Sequence, residues 1–135
     1  MSFISIQYAG QLRTTAKHLK SGNTIITDAP TDNQGKGQAF SPTDLVATAL
    51  ATCMITVMGI KAQTWNIDLN NATLDVEKIM ASNPRRIDRV IIDIKVPEVG
   101  LTVEQKEILI KTAIECPVAH SLSPELTQQV KFVFL

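Results

Sequence analysis

Ser41-Pro42-Thr43-Asp44-Leu45-Val46-Ala47-Thr48-Ala49-Leu50-Ala51-Thr52-Cys53-Met54-Ile55-Thr56-Val57-Met58-Gly59-Ile60 is the stretch that decides the fold. It opens as a helix should. Ser41 can accept a hydrogen bond from the free backbone N–H three positions on. Pro42 fits the first turn, where its missing N–H costs nothing, and Asp44 sets a negative charge at the positive helix end. Residues 45–60 then carry no charge, and the apolar positions go right round the helix rather than forming one stripe. Such a helix is buried on every side or spans a membrane. The charge-free run falls short of the ~18 residues of a span, and nothing else in the chain is apolar enough to join it. Burial is therefore expected. One sheet of a 135-residue chain covers one face of this helix, so a second subunit is expected on the other.

Upstream, residues 3–9 alternate, with Ile4, Ile6 and Tyr8 on one face. Gly10 permits a turn into residues 12–19, and Ser21-Gly22-Asn23 turns again into residues 24–28. Residues 29–38 are rich in turn formers and read as a long loop of the functional kind. Downstream, Ala72, Leu74 and Val76 alternate in one strand, and Val90, Ile92, Ile94 and Val96 in another, with Ser82-Asn83-Pro84-Arg85-Arg86 as a hairpin loop between them. Thr102 and Gln105 suit a capping box for a second helix. Pro117 interrupts that helix, Pro124 breaks the chain again, and Val130, Phe132 and Phe134 alternate in a closing strand. The order βββ-α-ββ-α-β predicts an α+β fold, an antiparallel sheet packed on two helices, in a single domain over residues 1–135.

Thirteen basic residues balance thirteen acidic ones without a run of like charge, and aromatics make up 4%. Nucleic-acid and membrane partners, which call for basic patches, basic amphipathic helices or stacking platforms, are not expected. The N-terminal residues lack the pattern of a secretory signal, so a cytoplasmic location is expected. There two cysteines serve redox or catalytic chemistry rather than a disulfide framework.

Cys53, in the middle of the apolar helix, reads either as a small core residue or as a working thiol. Cys116, fixed beside Pro117 at a helix break, has a set direction and partial access. They stand 63 positions apart, and spacing alone does not bring them together. His120, four residues after Cys116, and His18 are the histidines; no close ligand pair accompanies them, so no metal site and no cofactor are expected.

Residues 40–45, Phe-Ser-Pro-Thr-Asp-Leu, continuing through Ala49, Leu50 and Ala51 to Cys53, resemble the first cysteine motif of the osmotically inducible protein C / organic hydroperoxide resistance family. Cys116-Pro117-Val118, with Ser121 and Leu122, resembles the second. Thr27-Asp28-Ala29-Pro30, Asp32-Asn33-Gln34-Gly35-Lys36-Gly37 and Pro84-Arg85-Arg86 are similar to one subgroup of that family. The resemblance implies an intertwined homodimer with the two cysteine helices central and buried. It also implies thiol-dependent reduction of organic hydroperoxides: Cys53 attacks the peroxide, Cys116 resolves the sulfenic acid to a disulfide, and an external dithiol reduces it.

In that family an arginine from the N-terminal half, steadied by a glutamate after the motif proline, supplies charge to the thiolate. Arg13 is the one arginine before Cys53 and fills that role by resemblance, while Thr43 stands in the glutamate's place. Asp44, one position later, points about 100° away on a helix. A non-catalytic protein binding a small apolar or thiol-reactive ligand at the dimer interface is the alternative reading.

Overall fold

The computed structural model describes residues 2–135, which divide into two compact units, residues 2–46 and 47–135. The element order is the expected one: β1 (Ile4–Gly10), β2 (Arg13–His18) and β3 (Thr24–Asp28), then α1 (Pro42–Gln63), β4 (Thr73–Ala81) and β5 (Arg86–Val96). There follow α2 (Val103–Ile114), a short helix α3 (Pro117–Ser121) and β6 (Thr127–Phe134).

In the first unit, β1-β2-β3 form an antiparallel three-stranded sheet. The β1–β2 turn is carried by left-handed backbone at Gly10, Gln11 and Leu12. Beyond β3 the long loop is folded closely on itself. Gly37 donates to the carbonyl of Ala29 at 3.1 Å, and a Cβ on Gly35 would lie 1.7 Å from that same oxygen, which leaves glycine as the residue that fits. Ser41 caps α1 as expected, accepting from Asp44 N–H at 3.0 Å. The Asp44 carboxylate reciprocates by accepting from Ser41 N–H at 2.9 Å, which completes a capping box with aspartate in the glutamate role.

In the second unit, β4-β5-β6 form the other three-stranded sheet, with β5 in the middle. Here the expectation of one antiparallel sheet is corrected twice: the strands fall into two sheets, and β5 pairs with β6 in parallel. The β4–β5 connection is a hairpin, which forces antiparallel pairing, whereas the path from Val96 to Thr127 runs through α2 and α3. A helical crossover of that length returns the chain in the same direction. The helix break at Pro117 is found, but the proline also starts α3, at its first helical position.

α1 has 22 residues, longer than its charge-free run, and by length and composition alone would suffice to cross a bilayer. Its inner face is packed instead. Ala47, Leu50, Ala51, Met54, Met58 and Ala62 are buried in one core with Val90, Ile92, Ile94 and Val96 of β5 and Leu109 and Ala113 of α2. Alternation along β5 and the spacing of Leu109 and Ala113 on α2 turn these side chains to the same side. Ala49, Thr52, Thr56 and Ile60, on the other side of α1, are exposed within the chain. One sheet covers one face of this helix, as expected.

Candidate thiol site

Cys53 lies on α1, half-buried against the core of the second unit. Cys116 reaches the same core by a different route. Its amide closes a tighter turn at the end of α2, donating three residues back to Ala113 at 3.2 Å, and Pro117 disfavours helical backbone in the residue before it. Cys116 is accordingly extended (φ −65°, ψ 154°) and becomes the N-cap of α3. Its sulfur takes the place of the usual capping oxygen and accepts from the backbone N–H of Ala119 at 3.4 Å. The thiol is 1% exposed.

The two sulfurs, 63 positions apart in sequence, are neighbours: both are free thiols, and Cys53 lies close enough to Cys116 to act on its ionisation. Burial pushes the Cys116 thiol above its ordinary value, and the adjoining Cys53 raises it further. The N–H groups of Ala119 and Val118 act the other way, because they solvate the thiolate. Cys116 is thus a protonated thiol at neutral pH. A cavity of about 360 Å³ opens at Cys53, lined by Ala49, Thr52, Thr56, Val57, Pro117 and Val118. Two adjoining reduced thiols, one of them lining a largely apolar cavity, are equipped to exchange two electrons as a dithiol–disulfide pair.

Arg13 belongs to the first unit, where it is held by a residue that sequence reasoning missed. Its Nε donates to Asp28 Oδ1 at 2.7 Å and its Nη2 to Oδ2 at 2.8 Å, a two-pronged ion pair; Nη2 also donates to Gln38 Oε1 at 3.0 Å. Asp28 is 1% exposed and receives a further bond from Gln38 N–H. Hydrogen bonds from Arg13 hold its carboxyl below the ordinary range against the opposing effect of burial, with help from Gln38 N–H and from the charges of Arg13 and Lys36. The signal was in the hairpin register. Strands meeting at the turn around Ser21 and Gly22 pair Lys17 with Thr24, and counting outward pairs Arg13 with Asp28.

Thr43 hydrogen-bonds Ser41 through its hydroxyl, and Asp44 caps α1. His18 Nδ1 pairs with Ser21 Oγ at 2.6 Å at the end of β2, and His120 is exposed on α3. Among the described residues no group of three or more His, Cys, Asp or Glu is placed to hold a metal ion.

An α+β chain whose central helix carries one cysteine and whose second helix breaks at another defines a class. The profile of the OsmC-like protein family matches residues 35–131, and the chain belongs to that family. It superposes over 98% of its length on 96% of a Psychrobacter arcticus 273-4 protein, at TM-score 0.93 and 50% identity. That protein is provisionally described as an osmotic stress induced and detoxification response protein. An organic hydroperoxide resistance protein OsmC from Legionella pneumophila shares the fold at TM-score 0.71 and 17% identity, over 98% of each chain. One from Elizabethkingia anophelis, with thiocyanate bound, does so at TM-score 0.75 and 15% identity, over 100% of this chain and 98% of that one. No curated protein matches the sequence.

Proposed function

We propose that the protein is a thiol peroxidase that reduces organic hydroperoxides, with Cys53 as the attacking sulfur and Cys116 as the resolving one. The adjacency of these two reduced thiols beside an apolar cavity carries the reading. The Cys53 thiolate attacks the terminal peroxide oxygen, the O–O bond breaks, and the alcohol leaves with a proton, so that Cys53 is oxidised to a sulfenic acid. Cys116 then attacks the Cys53 sulfur, the S–S bond forms, the S–O bond breaks, and the hydroxyl departs as water with the Cys116 proton. An external dithiol returns both sulfurs to the reduced state. A cytoplasmic setting, where thiols are kept reduced, suits this cycle.

Arg13 is the proposed source of positive charge for the thiolate, with Asp28 in place of the glutamate that Thr43 replaces. A homodimer is part of the proposal. Ala49, Thr52, Thr56 and Ile60 leave α1 open on one side, and in the other unit β1 separately exposes Ile4, Ile6 and Tyr8, apolar side chains that a partner would cover.

Mass spectrometry of the reduced protein after one equivalent of an alkyl hydroperoxide tests the reading. Wild type should lose two hydrogens to a disulfide. Cys116→Ser should stop at the sulfenic acid and overoxidise with more peroxide, and Cys53→Ser should consume none. Arg13→Ala should slow the first step while leaving the disulfide as product. Equal peroxide consumption by wild type and Cys53→Ser would overturn the enzyme reading and leave a protein that binds a small apolar or thiol-reactive molecule.

A further inference from the structure

Gln128, near the start of β6, is half-buried and donates from Nε2 to the carbonyl oxygen of Ala119 at 3.1 Å. A carbonyl only accepts, so the amide nitrogen is the atom that makes this bond. On its other side Ala119 donates its N–H to Cys116 Sγ. Ala119 is thus gripped by the sheet through its oxygen and grips the thiol through its nitrogen. α3 has five residues, and a single helical turn does not persist on its own hydrogen bonds. Its other side-chain tie, from Ser121 Oγ to Pro117 O, stays within the helix. The bond from Gln128 fastens it to the strand. The neighbouring Gln129 is turned the other way and accepts from Arg89.

On the thiol-peroxidase reading, we infer that Gln128 is a positioning residue for Cys116: it fixes α3 so that the N–H groups of Val118 and Ala119 stay on the sulfur while it attacks the Cys53 sulfenic acid. A buried thiol is a poor nucleophile until it loses its proton, and backbone N–H donors solvate the thiolate that results. If α3 drifts off the sheet, those donors leave and resolution slows, so Cys53 waits longer as a sulfenic acid.

Gln128→Met keeps the length and neutrality of the side chain and removes the donor. In a Cys53→Ser background the ultraviolet absorbance of the lone thiolate should titrate at higher pH, with about a threefold smaller thiolate fraction at a fixed pH on the rising limb. In the two-cysteine protein under excess alkyl hydroperoxide, overoxidised Cys53 should gain on the disulfide by a similar factor. Gln129→Met should change neither readout. A titration and a product ratio both unmoved by Gln128→Met would overturn the inference; Gln128→Leu repeats the test if the methionine variant loses its melting transition. The titration needs no peroxide chemistry, so a moved titration in a protein that consumes no peroxide separates a failed enzyme reading from a failed role for Gln128.

Discussion

Ile60 offers the sharpest test of whether a second subunit completes the helix. It is 60% exposed on α1 within the chain, in line with Ala49, Thr52 and Thr56. Fully burying an isoleucine side chain contributes about 1.5–3 kcal/mol, so covering its exposed share contributes about 1–2 kcal/mol per copy. Two-fold symmetry uses the residue twice, which makes the loss in Ile60→Ala about 2–4 kcal/mol, or about 30- to 700-fold in the dimer dissociation constant. Alanine is the better helix former, so the substitution does not harm the helix itself. Sedimentation across a dilution series measures the constant. Wild type should stay dimeric at micromolar concentration and the variant should dissociate at higher concentration than wild type. A stable folded wild-type monomer at micromolar concentration, or an unchanged constant in Ile60→Ala, refutes the reasoning.

Two further outcomes are expected. Thr102→Ala removes one half of the α2 capping box, whose bonds are 3.1 Å and 2.9 Å, and should cost about 1 kcal/mol in urea denaturation; a loss under about 0.3 kcal/mol would show that the cap adds nothing net. Cys116, held above the ordinary thiol value of 9.0, binds its proton more tightly folded than unfolded. Its contribution is therefore present below that pH and fades as pH rises toward the folded value, so reduced wild type should lose stability on the alkaline side faster than Cys116→Ala. Parallel profiles for the two proteins would contradict the raised value.

What the sequence disclosed was local. The start of α1 was legible because Ser41, Pro42 and Asp44 act within one turn, and Thr102 with Gln105 announced α2 in the same way. The parallel partner of β5 was not, because strand direction depends on the route of the crossover and alternation in residues 127–134 is the same either way. The meeting of Cys53 with Cys116 came only through the family resemblance, since a 63-residue separation carries no geometry. Asp28 went unseen as the partner of Arg13 because it was read as the end of a strand rather than as one side of a register. Gln128 was invisible for a related reason: its partner is a backbone carbonyl, which no residue type reveals.

The parallel β5–β6 pair also sets the order in which the second unit assembles. β4 and β5 meet across a short turn, so their contacts are local in sequence. β6 joins only after the chain has looped through α2 and α3, and such distant contacts form late because the loop must close before any contact rewards it. During that interval the middle strand stands with one edge open and the row Val90, Ile92, Ile94 and Val96 in need of cover. A strand in that condition is a template for other chains. Yield on refolding should therefore depend on protein concentration most strongly in this window, and substitutions in β6 that slow its arrival should cost soluble protein before they cost equilibrium stability.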